Sequence, residues 1–191
     1  MPSRLRRHDE YGHTHFLTIS CYRRLRFFRH DTVKRVFIDG MRRTRDELGI
    51  RWIGYVIMPE HVHLLVFPTP VSAEEPVLIS SVLQTLKQHV GRHGKAALRS
   101  VWATTRTLGS PPLDAWALGN GLKPFWKPRG YDFNVTNQNT LHQKLDYMHK
   151  NPITRGLVDR AEDWRWSSYR YYEFDDQSVI AMDWDGAWPI A

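Results

Sequence analysis

Tyr55-Val56-Ile57-Met58-Pro59-Glu60-His61-Val62-His63-Leu64-Leu65-Val66-Phe67 is the stretch whose reading decides the fold. Two apolar runs flank a break at Met58-Pro59-Glu60, and the second run opens with two histidines separated by one residue. Successive side chains of a strand point to opposite faces, so the imidazoles of His61 and His63 share a face. Such a pair offers two nitrogen ligands to one divalent cation. Zinc usually takes three or four protein ligands, so a metal site here needs a further donor from elsewhere in the chain. Taken alone, the triplet equally describes two hydrogen-bonded histidines on a sheet surface.

Working outward, Trp52–Ile57 and His61–Phe67 are close enough in sequence to form a hairpin. Before them, Asp31 suits a helix N-cap, and Val33, Val36, Phe37, Met41, Thr44 and Leu48 keep helical spacing until Gly49 stops the helix. Earlier still, Phe16–Tyr22 reads as a first strand. After the hairpin, Val77 to about Gly91 reads as a second helix with Val82, Leu83, Leu86 and Val90 inward. The periodicity then fails from His93 to Lys123, where glycines and Pro111-Pro112 suggest an irregular surface insertion. Phe125–Val135 reads as a fourth strand. Asn137–Asn151 reads as a third helix, ended by Pro152. The order strand–helix–strand–strand–helix–strand predicts an α+β, ferredoxin-like split β-α-β fold with an antiparallel sheet. Two helices lie on one face, and the third helix is placed to cover the other. The expected organisation is one domain over residues 1–170, with the insertion at about 93–123, followed by an acidic, aromatic tail over 171–191.

The 191 residues, 41% hydrophobic, suffice for a single core. Cys21 is the only cysteine, which excludes an intramolecular disulfide and a cysteine-based zinc site. Its strand-like surroundings mark it as a buried structural thiol. No run has the length of a signal peptide or a membrane span, so the reading is a cytoplasmic protein. The net charge of +7 is uneven. From Tyr171 onward the charged residues are all acidic (Glu173, Asp175, Asp176, Asp183, Asp185), and every Lys and Arg precedes them. A basic body of this kind suits a polyanionic partner, since neutralising phosphates releases counterions.

The third helix adds chemistry. Leu141, Leu145 and Met148 form its apolar stripe, while Tyr147 and Asn151 share a face at the stripe's flank. A phenol is a weak nucleophile at neutral pH. A cation held by two histidines and an amide oxygen polarises a phosphodiester and offsets charge in the transition state. Tyrosine attack then gives a covalent phosphotyrosine that conserves the energy of the broken bond. Spacing also admits a plainer reading, in which Asn151 is a helix-terminal residue before proline and Tyr147 an amphipathic surface tyrosine.

Three blocks carry a resemblance: Met58-Pro59-Glu60-His61-Val62-His63-Leu64-Leu65-Val66, Tyr147-Met148-His149-Lys150-Asn151-Pro152-Ile153-Thr154-Arg155-Gly156-Leu157-Val158, and Trp164-Arg165-Trp166-Ser167-Ser168-Tyr169. In this order and at these separations the sequence resembles the single-tyrosine HUH (IS200-like) transposases, within them the REP-associated tyrosine transposase group. The similarity extends more weakly to Thr18 and the first helix, Leu86-Lys87-Gln88 and Phe125–Asp132, and covers about three-quarters of the chain. The resemblance implies a ferredoxin-like core and a metal-dependent endonuclease and strand transferase that cuts single-stranded DNA at or near hairpins. It implies Tyr147 as nucleophile, His61, His63 and Asn151 as metal ligands, Mg²⁺ or Mn²⁺ as the ion, and a 5′-phosphotyrosine with a free 3′-hydroxyl as the product of cleavage. It also implies a monomer ahead of a homodimer. Two imidazoles and one amide leave coordination positions for phosphate oxygen and water.

For a DNA hairpin, the candidate phosphate contacts are Arg4, Arg6, Arg7, Arg23, Arg24, Arg26, Lys87, Lys127 and Arg129, and the candidate stacking residues are Trp164, Trp166 and Tyr169. Glu60 or His149 is a candidate for assisting proton transfer. The rival readings are a hairpin-binding protein that no longer cuts, an RNA-binding module on the same fold, and an unrelated metal-dependent phosphodiesterase. The tail is expected to be solvated or to fold over the basic surface.

Overall fold

Alternating apolar residues build four strands, β1 (Thr14–Ser20), β2 (Arg51–Ile57), β3 (His61–Phe67) and β4 (Tyr131–Val135). The structure, a computed structural model, describes residues 13–69, 77–107 and 124–188. The strands pair antiparallel in the order β2-β3-β1-β4, which is the expected ferredoxin-like sheet. β2 and β3 form the hairpin, closed by the Met58 N–H donating to the His61 carbonyl at 2.8 Å.

Two helices, α1 (Asp31–Leu48) and α2 (Ile79–Thr107), cover one face. Leu17, Ile19, Val62 and Leu64 of the sheet share a core there with Phe37 and Met41 of α1 and Val82, Leu86 and Val90 of α2. Gly49 ends α1 in the left-handed region at φ 63°, with its N–H on the Arg45 carbonyl. The N-cap position belongs to His30, not Asp31. Asp31 is the first helical residue, and its carboxylate takes the buried Lys34 ammonium at 2.8 Å.

Several boundaries differ from the sequence expectation. Helix α2 does not stop near Gly91 but continues to Thr107, so the first part of the expected insertion is helical, and residues 108–123 lie outside the described residues. Glycine suggested a break, yet Gly94 makes room for an aromatic ring. A Cβ on Gly94 would stand 2.8 Å from Phe125 Cε2, and Leu98 continues the buried stripe beyond it. β1 begins at Thr14 and ends at Ser20, and Tyr22–Arg24 form a 3₁₀ turn. β4 begins only at Tyr131. Phe125 and Trp126 lie before it, packed against Phe27, Phe28 and Phe37, and Trp126 makes one isolated bridge to Cys21.

The opposite face is covered by α3 (Gln138–Thr154). Asn137 caps it, its side-chain oxygen accepting from the Thr140 N–H at 2.9 Å. Leu141, Leu145 and Met148 pack on Phe16, Ile53, Val56 and Leu65. Pro152 does not end this helix. Proline removes one N–H and crowds one carbonyl, and in the final turn so little follows that the helix still reaches Thr154. A fourth, short helix, α4 (Tyr169–Phe174), leads into the C-terminal residues. These are packed rather than solvated. Ile180, Met182 and Trp184 are buried, and the Asp183 N–H donates to the Trp52 carbonyl along the outer edge of β2. Among the described residues no helix is long and apolar enough to cross a membrane.

Candidate active site

β1 and β3 set the histidines. Thr18 pairs with His63 and Ser20 with His61 across the ladder, so all four side chains lie on the face that α3 covers. His61 and His63 are buried, and their Nε2 atoms face each other at 3.0 Å. Each ring is held from behind. His61 Nδ1 lies 3.1 Å from Glu60 Oε1, and His63 Nδ1 lies 2.8 Å from Thr18 Oγ1. Phe16 stacks on His63 with ring centroids 5.4 Å apart.

α3 supplies the remaining groups. Asn151 is buried, with its side-chain amide 3.1 Å from His63 Nε2. Tyr147, one turn earlier, is 53% exposed, and its ring packs edge-on to His63 at 5.4 Å and to Phe16 at 6.1 Å. These residues line a cleft of about 620 Å³ together with Thr18, Ser20, Arg24, Tyr131, Lys150, Thr154 and Arg155.

Burial and close partners set the protonation of these groups. Glu60 is held down to about 2, first by the hydrogen bond from His61, so its carboxylate only accepts and His61 Nδ1 must donate. Burial, joined by the charges of His61 and Lys144, pushes His63 down to about 3, which keeps it neutral. His63 Nε2 lies 3.0 Å from His61 Nε2 and 3.1 Å from the Asn151 side-chain amide, so the three groups converge on one point. His61 Nε2, His63 Nε2 and the Asn151 side chain are the groups that could hold a cation. Among the described residues no group of three or more His, Cys, Asp and Glu side chains is placed to hold a metal, so a cation here would rest on two imidazoles and an amide, which would leave positions for water and phosphate oxygens.

The other sequence candidates divide. Arg24 lines the cleft. Lys87 and Arg129 line a second cleft of about 490 Å³, which shares Thr18 and Tyr131 with the first. Arg23, Arg26 and Lys127 are exposed and line neither. Arg4, Arg6 and Arg7 lie outside the described residues. Trp166 is buried, Trp164 donates to the Ile57 carbonyl at 3.2 Å, and the Lys34 ammonium lies 5.2 Å and 5.3 Å from their rings, so both tryptophans belong to the core. His149 faces away from the cleft, with Nε2 2.9 Å from Ser168 Oγ. Glu60 is beside the site but supports His61 rather than facing Tyr147. Sequence reasoning missed Thr18, visible only once strand register is known, and Arg155. The latter stands one further turn along the Tyr147–Asn151 face and was hidden by the expectation that Pro152 ends the helix.

No protein-family model matches the chain. A REP-associated tyrosine transposase of Escherichia coli (strain K12) is 29% identical over 66 residues, which are 35% of this chain and 39% of that protein's length. A putative REP-associated tyrosine transposase of Haemophilus influenzae is 21% identical over 189 residues, 96% of this chain and 94% of that protein. Among solved structures, a REP-associated tyrosine transposase bound to a REP hairpin matches with a TM-score of 0.61 at 20% identity, covering 97% of this chain and 92% of that one. The resemblance read from the three sequence blocks is thus borne out in curated relatives and in a shared fold.

Proposed function

We propose that the chain is a REP-associated tyrosine transposase of the single-tyrosine HUH type, which cleaves and rejoins single-stranded DNA at or near a hairpin. The observation that carries this reading is the placement of an exposed tyrosine beside two histidine nitrogens 3.0 Å apart and a buried asparagine amide. The relatives' names and the hairpin bound in the structurally similar protein point to the same substrate class.

In the proposed reaction Tyr147 Oη attacks phosphorus, and the bond from phosphorus to the 3′ oxygen breaks. The products are a 5′-phosphotyrosine and a 3′-oxyanion that takes up a proton from water, while the phenolic proton is lost to solvent in the open cleft. Reversal by a different 3′-hydroxyl transfers the strand. His61, His63 and Asn151 would hold Mg²⁺ or Mn²⁺. The ion would supply Lewis-acid stabilisation of the charge that builds on the phosphoryl oxygens. Thr18 and Glu60 hold the two rings from behind, with their Nε2 atoms facing each other.

The test is a denaturing gel of the protein incubated with labelled single-stranded hairpins and Mn²⁺. A labelled protein band that disappears in Tyr147→Phe and in EDTA is the expected result. Tight, salt-dependent hairpin binding with no such band under any condition supports a binding protein instead, and cleavage that survives Tyr147→Phe removes the nucleophile assignment.

A further inference from the structure

Glu60 gathers three donors on a single oxygen. Oε1 lies 3.1 Å from His61 Nδ1, 3.3 Å from Arg155 Nη2 and 3.4 Å from Arg24 Nη2. One carboxylate oxygen has two lone pairs, so three donors cannot all be well satisfied, and the two arginine distances sit at the long end of hydrogen bonding. Both arginines are also open to solvent, their side chains 50% and 59% exposed. Exposed ion pairs of this quality contribute little to stability. A network built only to hold the fold would be buried and tightly bonded.

The backbones, in contrast, are fixed. Arg155 is the C-cap of α3, its N–H on the Asn151 carbonyl at 3.0 Å. Tyr147, Asn151 and Arg155 therefore descend one helix face at single-turn intervals. Arg24 sits at φ 55° directly after Arg23 at φ 51°. Two successive non-glycine residues in the left-handed region persist only where the surroundings hold them, and the turn is closed by the Arg24 N–H on the Cys21 carbonyl. Both guanidinium groups overlook the cleft that holds His61, His63 and Tyr147. Lys150 also lines it, with Nζ 3.6 Å from Asp146 Oδ2.

Resting on the transposase reading, we propose that Arg155, with Arg24 beside it, binds the non-bridging oxygens of the phosphodiester that Tyr147 attacks, and that Glu60 is the positioning residue that holds both guanidinium groups before DNA arrives. A phosphodiester presents two oxygens that match the fork of a guanidinium better than one crowded carboxylate oxygen does. On DNA binding the arginines exchange Glu60 for phosphate. Glu60 keeps His61, and relief of the crowding tightens that remaining bond. Charge that grows on the phosphoryl oxygens during attack is then met by two cations already aimed at it.

The experiment compares wild type, Arg155→Ala, Arg155→Lys and Glu60→Gln in single-turnover adduct formation on one labelled hairpin, with hairpin affinity and Mn²⁺ affinity measured separately. Arg155→Ala should slow adduct formation about 100-fold while Mn²⁺ affinity stays at the wild-type value and hairpin affinity changes only slightly. Arg155→Lys should restore part of the rate. Glu60→Gln should weaken Mn²⁺ by about tenfold, because His61 loses its anionic support. A phosphorothioate at the scissile position should slow wild type and add little to Arg155→Ala, an interaction a merely structural residue would not show. Arg155→Ala forming adduct at the wild-type rate overturns this inference alone, as does equal loss of hairpin binding and rate. Absence of adduct in wild type overturns the underlying reading of the site and the inference with it.

Discussion

Thr18 Oγ1 lies 2.8 Å from His63 Nδ1, across a ladder in which the two residues are direct partners. The hydroxyl holds the ring's orientation, and with it the direction in which Nε2 points. Thr18→Val keeps the side-chain shape and removes the bond. Mn²⁺ affinity is expected to fall about tenfold, with global stability lowered by no more than about 1.5 kcal/mol. Titration of the metal by calorimetry or electron paramagnetic resonance checks this, and unchanged affinity would show that His63 is oriented by packing on Phe16 alone.

Gly54 is where α3 meets the sheet. A Cβ there would stand 2.6 Å from Leu145 Cδ2 and 2.9 Å from Met148 Cε. Gly54→Ala should therefore lift the middle of α3 and lower stability by about 1–3 kcal/mol in urea unfolding. Because Asn151 and Tyr147 ride on that helix, adduct formation should fall more than stability alone explains. A variant with wild-type stability and rate would mean that Leu145 and Met148 rearrange freely.

Much of the centre was legible in the sequence because it rests on short periodicities. Alternation placed His61 and His63 on one face, and the four-residue helical repeat placed Tyr147 with Asn151. Gly49 stopped α1 where the pattern ended. What could not be read depends on partners distant in sequence. Gly94 resembles a helix break until Phe125 is seen packed against it. Pro152 resembles a terminus, although only one helical turn was at stake. Thr18 becomes a support for His63 only through the β1–β3 register. The C-terminal residues read as an acidic, aromatic tail, yet Ile180, Met182 and Trp184 carry them into the core.

Asp183 joins that C-terminal segment to the edge of the sheet. Its carboxylate accepts from Arg45 Nη1 at 2.7 Å and from the Trp52 N–H at 2.9 Å, while its own N–H reaches the Trp52 carbonyl. The segment thus covers part of an edge strand that would otherwise present unpaired backbone groups. Asp183→Ala leaves the Trp52 N–H and the Arg45 guanidinium without this acceptor and should cost about 1–3 kcal/mol. Thermal unfolding gives the magnitude, and light scattering should show greater self-association. Asp183→Asn, which can still accept from Trp52, should recover part of the loss; equal damage from both variants would place the effect in the ion pair with Arg45.

His149 and Asn151 are two residues apart on α3, which is about 200° of rotation. If Asn151 faces the histidine pair, His149 must face elsewhere, and it does. Its Nε2 meets Ser168 Oγ, which in turn lies 3.1 Å from the Tyr55 N–H. The role is to tie α3 to the segment that follows it, with Tyr169 and Tyr172 packed around the ring. His149→Gln should lower stability by about 1 kcal/mol through the lost or lengthened bond. The rate of adduct formation per folded molecule and its pH profile should be those of wild type. A fall of tenfold or more in a fully folded variant, or a displaced pH profile, would return His149 to the list of groups that handle the proton of Tyr147.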